Sequence, residues 1–251
     1  MGLLKVQNLK RYFGGIKAVN NCSFEVKKGT ITALIGPNGS GKSTVFNIIS
    51  GILKAKEGKI IFDKRDITKF TPEKIANLDG FGISRMFQRS RLFGNLTVKN
   101  NLLLAMEQGK DTKFKAIFKS DKASKEQEKK LKKILEIVEM ERFTNKLAMD
   151  LSFGQKRLIE LARAILNPNK LLMLDEPVAG VNPKLRKKIK TILRKLIKKE
   201  NATILLIEHD MDFTLDIADR VIVLDEGKVI AEGPPSKIRN NKRVLEAYLG
   251  E

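Results

Sequence analysis

The sequence predicts an α/β fold in which helices cover a largely parallel β-sheet. Two apolar segments, at 170–175 and 202–207, are continuous rather than alternating, which is typical of strands buried on both faces of a parallel sheet. The segment between them, at 183–199, has helical periodicity, and neighbouring parallel strands need a crossover helix of this kind. A third apolar run, Ile31–Ile35, ends at a glycine-rich loop that opens another helix. These three observations favour strands and helices that alternate along the chain.

Length, charge and cysteine content limit the possible classes of protein. The chain has 251 residues, 42% of them hydrophobic, which is enough to bury the core of one large domain. Its net charge of +20 favours an anionic partner such as a nucleotide, a nucleic acid or an acidic membrane surface, although solvated lysines on helix faces are the simpler explanation. The single cysteine, Cys22, excludes a disulfide framework, and we expect it to be buried in a protein of a reducing compartment.

Two further patterns bear on membranes. The first residues, MGLLKVQNLK, lack the apolar core of a signal peptide. No apolar run approaches the ~20 residues that cross a bilayer, so we expect any membrane role to depend on other chains.

Strands and one helix are predicted for the first part of the chain. Glycines at 14–15 and at 29 divide β-type sequence into two or three strands, the last of them Ile31–Ile35. The loop GPNGSGKST then leads into a helix over Lys42–Ile49, and EGKIIFDKRDIT at 57–68 predicts a short strand pair.

Residues 94–165 are predicted to form a helical subdomain inserted into a core of residues 1–93 and 166–251, all within a single domain. One helix face carries apolar residues at i, i+3, i+4 and i+7, namely Leu131, Ile134, Leu135 and Val138. The lysine-rich stretch at 109–130 is either a basic patch for a membrane or nucleic acid or a solvated surface. Its few apolar residues favour the solvated surface.

The last third of the chain completes the core. Asn182 is a suitable N-cap and Pro183 a suitable first residue for the next helix. One stripe of that helix is apolar, formed by Leu185, Ile189, Ile192, Leu193, Leu196 and Ile197. A basic amphipathic helix can target membranes or partners, but its place between two buried strands favours a crossover helix. VIVLDEGKVIAEG at 221–233 predicts a hairpin that turns at Glu226 and Gly227.

The loop GPNGSGKST matches the phosphate-binding pattern G-x-x-x-x-G-K-[ST], between a predicted strand and a predicted helix as that motif requires. Its glycines allow backbone N–H groups to surround phosphate oxygens at the positive end of the helix dipole. The lysine would reach the β- and γ-phosphates, and the first hydroxyl after it would bind Mg²⁺. The predicted nucleotide-binding residues of this phosphate loop are Gly36, Pro37, Asn38, Gly39, Ser40, Gly41, Lys42, Ser43 and Thr44.

Polar residues follow the other predicted strands at their carboxyl ends, where ligands of open α/β sheets bind. Asp175 and Glu176 end one strand, and they suit a Mg²⁺ ligand and a general base for an attacking water. His209, the only histidine, ends the next strand and is predicted to polarise the γ-phosphate or to position water. Gln88 follows a short β-like run and indicates nothing by itself.

The segment DLSFGQKRLIELARAI at 150–165 predicts a polar turn at the start of a helix. Ser152, Gly154 and Gln155 have the composition of an anion-binding turn, and we expect the helix to begin near Gln155. Phe153 is too bulky to favour positive φ, so we expect Gly154 to carry the flexible turn.

Taken in order, GPNGSGKST, Gln88, LSFGQ, LLMLDEP and EHD resemble the motifs of the ATP-binding cassette ATPase family, over essentially the whole chain. The resemblance implies a RecA-like P-loop NTPase core with an N-terminal antiparallel β subdomain and an inserted helical subdomain. It implies hydrolysis of ATP with Mg²⁺, coupled to transport across a membrane.

The family's motifs also imply roles for individual residues. Ser43, Gln88 and Asp175 would bind Mg²⁺, with Gln88 also contacting the attacking water. Glu176 would be the catalytic glutamate and His209 the switch histidine.

The resemblance also implies two roles that are separate from Mg²⁺ binding and catalysis. Phe13, or its neighbour Tyr12, would stack on adenine. Two protomers of this family pack head to tail, so Ser152, Gly154 and Gln155 would bind the γ-phosphate of the opposite protomer's ATP.

The sequence between the motifs, at 82–105, 179–183 and 231–251, is similar to that of the larger ATP-binding subunit of branched-chain amino acid importers. This subgroup implies permease subunits in the membrane, a second ATPase that is identical or a paralogue, an external solute-binding protein, and a peripheral position on the cytoplasmic side of the inner membrane. No nucleic-acid partner is expected. The alternatives are a lipopolysaccharide-export ATPase, a soluble cassette that acts on nucleic acid or ribosomes, and a nucleotide-binding module without turnover. AGVNP at 179–183 departs from the family's usual Ser-Ala-Leu-Asp, which leaves that loop's contacts open.

Overall fold

A six-stranded sheet and a four-stranded sheet organise the residues that the computed structural model describes, which are 2–88, 90–106 and 124–249. The strands are β1 (Gly2–Phe13), β2 (Ile16–Lys27), β3 (Ile31–Ile35), β4 (Glu57–Phe62), β5 (Arg65–Asp66), β6 (Gly82–Met86), β7 (Asn169–Asp175), β8 (Ile204–Ile207), β9 (Arg220–Asp225) and β10 (Lys228–Gly233). The helices are α1 (Lys42–Ile49), α2 (Pro72–Ala76), α3 (Val98–Met106), α4 (Lys125–Val138), α5 (Phe153–Leu166), α6 (Pro183–Glu200), α7 (Met211–Ile217), α8 (Pro235–Arg239) and α9 (Lys242–Leu249).

The central sheet has the strand order β10-β9-β3-β8-β7-β6. Its pairs from β9 to β6 are parallel, and among the described strands of this sheet only β10 is antiparallel to its neighbour. As predicted, α6 is the crossover helix that connects the parallel neighbours β7 and β8. The carboxyl ends of β3, β8, β7 and β6 therefore lie side by side at one edge of the sheet, which is where the predicted site residues follow.

Both faces of the central sheet are buried at its inner strands β9, β3, β8 and β7, which are apolar at consecutive positions. Ala33 and Leu172 point into one hydrophobic cluster, together with residues of α3 to α9. Leu34 and Met173 point into a second cluster, which includes α1 and the antiparallel sheet β2-β1-β4-β5. The continuous apolar runs of the sequence therefore reflect burial on two faces, as parallel strands require.

Helices α3, α4 and α5 follow one another between β6 and β7 and pack against one another. The four apolar positions predicted for one helix face, Leu131, Ile134, Leu135 and Val138, are all buried in α4. Ser124 caps this helix in a reciprocal capping box with Gln127. Of the lysine-rich stretch, residues 109–123 lie outside the described residues, and 124–130 form the cap and first turns of α4. The boundaries 94–165 of a separate subdomain stay a prediction.

Several local predictions are confirmed. The β9–β10 hairpin turns at Glu226 and Gly227, whose φ angles of 44° and 74° belong to the left-handed region that such two-residue turns need. The side chain of Asn182 accepts a hydrogen bond from the Leu185 backbone N–H, 2.9 Å away, and so caps α6. Cys22 is buried, and burial raises the pKa of its thiol to about 12. In the described part of the chain, we find no helix whose length and apolarity suit a membrane crossing.

Candidate nucleotide site

The phosphate loop connects β3 to α1 and depends on glycine for its shape. Gly36, Gly39 and Gly41 have φ angles of 149°, 82° and 100°, which side chains rarely adopt. A Cβ at Gly36 would lie 2.0 Å from the carbonyl oxygen of Leu224, and one at Gly41 would lie 2.2 Å from that of Ala18. The backbones of β9 and β2 thus lie so close to the loop that only glycine fits at Gly36 and Gly41.

Lys42 is enclosed by the loop that precedes it. Its Nζ donates hydrogen bonds to the carbonyl oxygens of Gly36 and Pro37, both at 2.8 Å, and to the hydroxyl of Ser40 at 3.3 Å. Burial lowers the pKa of this ammonium, and the negative charge of Glu176 partly offsets that effect. The ammonium therefore lies inside a ring of loop oxygens and within the electrostatic reach of Glu176.

The other predicted nucleotide-binding residues lie around this ring. Asn38 and Ser43 are exposed, Ser43 in the first turn of α1, and Thr44 beside it is half-buried. Phe13 ends β1, is 42% exposed and lies 4.8 Å from the Arg11 guanidinium, measured to the ring centroid. The β1–β2 hairpin that carries Phe13 also supplies the backbone that contacts the phosphate loop.

Three predicted catalytic side chains meet at the carboxylate of Glu176. Gln88, just after β6, donates from Nε2 to Glu176 Oε2 at 2.9 Å. His209, just after β8, places Nε2 3.0 Å from Glu176 Oε1. Glu176 itself has a φ of 50°, and its N–H donates to the Ile207 carbonyl oxygen at 2.9 Å. A left-handed non-glycine residue costs roughly 1–3 kcal/mol, and such strain is often found at functional positions.

Asp175 forms a buried ion pair that the sequence did not reveal. Its Oδ2 lies 2.7 Å from Nη2 of Arg85, and the two side chains are 8% and 7% exposed. Arg85 also donates to Asn47 Oδ1 at 2.8 Å and to Ser50 Oγ at 2.9 Å. The only signal in the sequence was a charged residue inside the short apolar strand β6. Because Arg85 binds Oδ2, a metal at Asp175 would be bound by Oδ1 or through water.

The residues predicted to bind Mg²⁺ offer only oxygen ligands, which this cation prefers. They are the hydroxyl of Ser43, the carboxamide of Gln88 and the carboxylate of Asp175. Among the residues that the structure describes, no group of three or more histidine, cysteine, aspartate or glutamate residues could bind a metal ion. A sparse oxygen set of this kind fits Mg²⁺, which usually keeps waters and substrate phosphates as its remaining ligands.

Residues 152–155, which we call the signature turn, differ from the prediction in where the helix begins. Helix α5 starts at Phe153, two residues earlier than predicted, because Ser152 is its N-cap. Ser152 Oγ accepts from the Gln155 N–H at 3.3 Å, and Gln155 Oε1 accepts from the Ser152 N–H at 2.9 Å. This reciprocal capping box satisfies backbone donors at the helix start.

Gly154 is therefore helical, and the prediction of a flexible turn at this residue is wrong. A Cβ here would lie 2.6 Å from Cδ2 of Leu185, so this position packs directly against the side chain of Leu185 on α6. Phe153 has ordinary φ, as predicted, and its side chain is 62% exposed. Within the described residues, no hydrogen bond joins the signature turn to the phosphate loop.

Glu208 is a buried carboxylate beside Asp175 and Glu176 in the site, and the sequence did not indicate it. It is 2% exposed, and its Oε1 accepts from the Val178 N–H at 2.9 Å. Its Oε2 accepts from the N–H of His209 at 3.3 Å. Burial raises the pKa of Glu208 to about 7, against an ordinary value of 4.5, and the charge of Glu176 adds to this rise. Glu208 thus links the segment after Glu176 to the segment of His209.

We expect the Glu208→Gln variant to be more stable than the native chain at pH 8 and about equally stable at pH 5. A raised pKa means that the folded state binds the proton more tightly, so the native stability falls as pH rises from 4.5 through 7. Glutamine has no charge to bury and keeps an acceptor for the Val178 N–H. The gain at pH 8 should reach about 3 kcal/mol. Urea unfolding at both pH values measures it.

The exposed Glu136→Gln change on α4 is the control and should show no such dependence on pH. A Glu208→Gln variant that is no more stable than the native chain at pH 8 would contradict the prediction.

Comparisons with known families show what the chain as a whole is similar to. A profile of the ABC transporter family matches residues 19–179. A profile described as a branched-chain amino acid ATP-binding cassette transporter matches residues 228–251. The high-affinity branched-chain amino acid transport ATP-binding protein LivG of Salmonella typhimurium is 41% identical over 253 residues, which cover 99% of this chain and 98% of that protein.

Solved structures give the same result for the fold. An ATP-binding cassette of an ABC transporter in its ADP conformation superposes with a TM-score of 0.86 at 36% identity, covering 100% of both chains. A dimeric cassette in a post-hydrolysis state, bound to ADP and phosphate, superposes with a TM-score of 0.78 at 28% identity, covering 92% of this chain and 98% of that one. These similarities confirm the predicted α/β fold class.

Proposed function

The chain belongs to the ATP-binding cassette (ABC) transporter family, and we therefore propose that it is the ATP-hydrolysing subunit of an importer of branched-chain amino acids. The observation that supports hydrolysis most directly is the carboxylate of Glu176, placed between Gln88 and His209. It lies at the sheet edge where the phosphate loop also begins. The solute assignment rests on the similarity to LivG and on the profile match at 228–251.

The nucleotide lies along the phosphate loop in this proposal. Phe13 stacks on adenine, and the backbone N–H groups of residues 38–44 surround the β- and γ-phosphates. Lys42 gives up its contacts to loop oxygens for phosphate oxygens, which are stronger partners because they are charged. Ser43, Gln88 and Asp175 would hold Mg²⁺, which would offset phosphate charge.

Hydrolysis then proceeds by in-line attack of water on the γ-phosphorus. Glu176 accepts a proton from the water as its oxygen bonds to phosphorus, while the bond from the γ-phosphorus to the bridging oxygen breaks and ADP leaves with the electron pair. Gln88 and His209 already contact the two oxygens of Glu176, so they orient this carboxylate and the water beside it. His209 also polarises the γ-phosphate.

The complete site requires a second cassette. We assign the signature turn to the γ-phosphate of the opposite protomer, with Ser152, Gly154 and Gln155 offering the positive end of α5. The similar cassette that was solved as a dimer supports this arrangement. ATP thus joins the two protomers, and hydrolysis removes the charge that joins them.

We expect the Ser152→Arg variant to bind ATP like the native chain but to lose the ATP-dependent dimer. A long side chain at this position would occupy the space in front of the helix N-terminus and remove the cap acceptor. Turnover should fall at least about tenfold, since one lost charge-assisted hydrogen bond is worth roughly 1.5–3 kcal/mol. Light scattering with and without ATP measures the dimer, and phosphate release measures turnover.

The chain offers a matched control in Ser124, the N-cap of α4, which has the same capping box with a glutamine. Ser124→Arg removes an equivalent cap and should leave dimerisation intact. If both variants lose the dimer equally, helix destabilisation explains the result and the assignment of the signature turn is wrong.

Transport requires further chains in this proposal. Permease subunits form the path through the membrane, the second cassette is identical or a paralogue, and an external protein delivers the solute. The chain is then peripheral, on the cytoplasmic side of the inner membrane. Purification of the tagged chain from solubilised membranes should recover multi-spanning permease chains. Stimulation of its ATPase activity by RNA or DNA, and not by those chains, would contradict the transport role.

The solute assignment is tested by uptake in cells whose native copy carries Glu176→Gln. Uptake of labelled leucine, isoleucine and valine should be lost at low external concentration, while uptake of labelled lysine serves as the control. Unchanged uptake of all three branched-chain amino acids would refute the assignment.

A further inference from the structure

Arg157, in the second turn of α5, is almost completely buried and binds backbone carbonyls from two distant parts of the chain. Its side chain is 4% exposed. The carbonyl oxygens that it binds are those of Phe87 and Gln88, each at 3.1 Å, of Asp175 at 3.1 Å, of Pro177 at 3.3 Å, and of Glu176. One guanidinium therefore fixes the backbone on both sides of the Gln88–Glu176 contact.

Glu160, one turn further along α5, completes this arrangement. Its Oε2 lies 3.4 Å from Nη1 of Arg157, and its Oε1 accepts from the Arg91 N–H at 2.8 Å. The pair is buried, Glu160 being 8% exposed. Because burying an ion pair carries a large desolvation penalty, such a pair is a poor source of stability. The Arg157–Glu160 pair is therefore better explained by a role in holding the backbone around Gln88 and Glu176 in place.

The chemistry of the side chain suits this role. A guanidinium is planar and has five N–H donors in fixed directions, whereas a lysine ammonium has three donors around one point. Only the guanidinium can reach carbonyls of both segments at once. An exchange of Arg157 for lysine keeps the charge and loses this fork.

We propose that Arg157 is a positioning residue through which α5 sets the distance between Gln88 and Glu176. The inference rests on the proposed function, because α5 begins with the signature turn that addresses the opposite ATP. A shift of α5 on binding that nucleotide moves the Arg157 guanidinium, and with it the backbone of both catalytic residues. Each protomer thereby adjusts the distance between its own Gln88 and Glu176 when ATP is bound at the phosphate loop of its partner.

The Arg157→Lys variant tests the proposal in the full chain. We expect the Kd for ATP to change by less than about threefold and kcat to fall by about 100-fold, the loss typical of a catalytic group displaced by about 1 Å. Fluorescent ATP measures binding, phosphate release measures kcat and KM, and a thermal melt reports the fold. A kcat within threefold of the native value would overturn the proposal.

Arg163 supplies the matched control, since it lies on the same helix and, among the described residues, donates to one carbonyl oxygen, that of Arg91, at 2.7 Å. Arg163→Lys should keep nearly native kcat. Equal losses of kcat in the two variants would mean that α5 merely needs arginines for its packing, and would overturn the proposal.

A second variant covers the case in which Arg157→Lys does not fold. Arg157→Gln combined with Glu160→Gln removes both buried charges together, so neither remains unpaired. This double variant should fold, bind ATP with native affinity and show the same loss of kcat, whereas native kcat would overturn the proposal. Absence of hydrolysis by the native chain would instead contradict the proposed function, so the two failures are distinguishable.

Discussion

The Glu176→Gln variant is expected to lose turnover by at least about 100-fold while it accumulates an ATP-bound dimer. A general base contributes roughly 10²–10⁴ to rate, and glutamine cannot accept the proton of the attacking water. The amide has nearly the same shape as the carboxylate, and it still offers an oxygen to the Nε2 donor of Gln88. ATP binding should therefore persist, and with hydrolysis stopped the closed dimer has no route to release.

Phosphate release and light scattering in the presence of ATP measure the two effects separately. Glu57→Gln is a suitable control, because Glu57 is an exposed partner of Lys10 on the antiparallel sheet. Hydrolysis by Glu176→Gln at the native rate would remove Glu176 from the mechanism. A variant that is inactive but fails to dimerise with ATP would leave the base intact and contradict the closed state proposed for the dimer.

The Lys42→Ala variant is expected to weaken ATP binding by one to two orders of magnitude, enough to abolish it at ordinary assay concentrations. Hydrogen bonds to charged groups are worth roughly 1.5–3 kcal/mol, and the ammonium is the buried cation of the phosphate loop. The substitution also leaves the carbonyl oxygens of Gly36 and Pro37 without their donor, which loosens the loop. Calorimetric titration with ATP measures the loss.

Lys28→Ala provides the control, because this exposed lysine in the β2–β3 turn should leave the Kd for ATP unchanged. Unchanged nucleotide affinity in Lys42→Ala would refute the role of the phosphate loop. A thermal melt of each variant separates loss of binding from loss of fold.

The elements that local sequence signals define were predictable. Strand β3, helix α1 and the hairpin at Glu226 and Gly227 each depend on neighbours in the chain: an apolar run, a glycine loop or a turn pair. The capping box of α5 is likewise a local signal, because Ser152 and Gln155 stand at the spacing that such a box requires. The meeting of Glu176 and His209 followed from the rule that parallel strands share one carboxyl edge, whereas the role of Gln88 was implied only by the family resemblance.

Three buried charged residues of the site were not predictable, and they share a reason. Arg85, Arg157 and Glu208 each bind at least one partner that is 30 to 90 positions away along the chain. Most of the partners of Arg157 are backbone carbonyls, which every residue has and which therefore leave no mark in the sequence. Burial of these charges becomes visible only when the sheet and α5 are assembled.

The capping box of α5 has a consequence for how readily the proposed dimer reopens after ATP hydrolysis. Ser152 and Gln155 already satisfy each other's backbone donors within one protomer. In the dimer that we propose, a phosphate of the partner's ATP would therefore have to displace these hydrogen bonds. The free energy of closure is then the difference between two sets of hydrogen bonds, and it is small compared with either. In that dimer, the capping side chains compete with the phosphate for the backbone N–H groups of Ser152 and Gln155. Once hydrolysis weakens the phosphate contacts, the helix regains its own partners, and reopening is spontaneous.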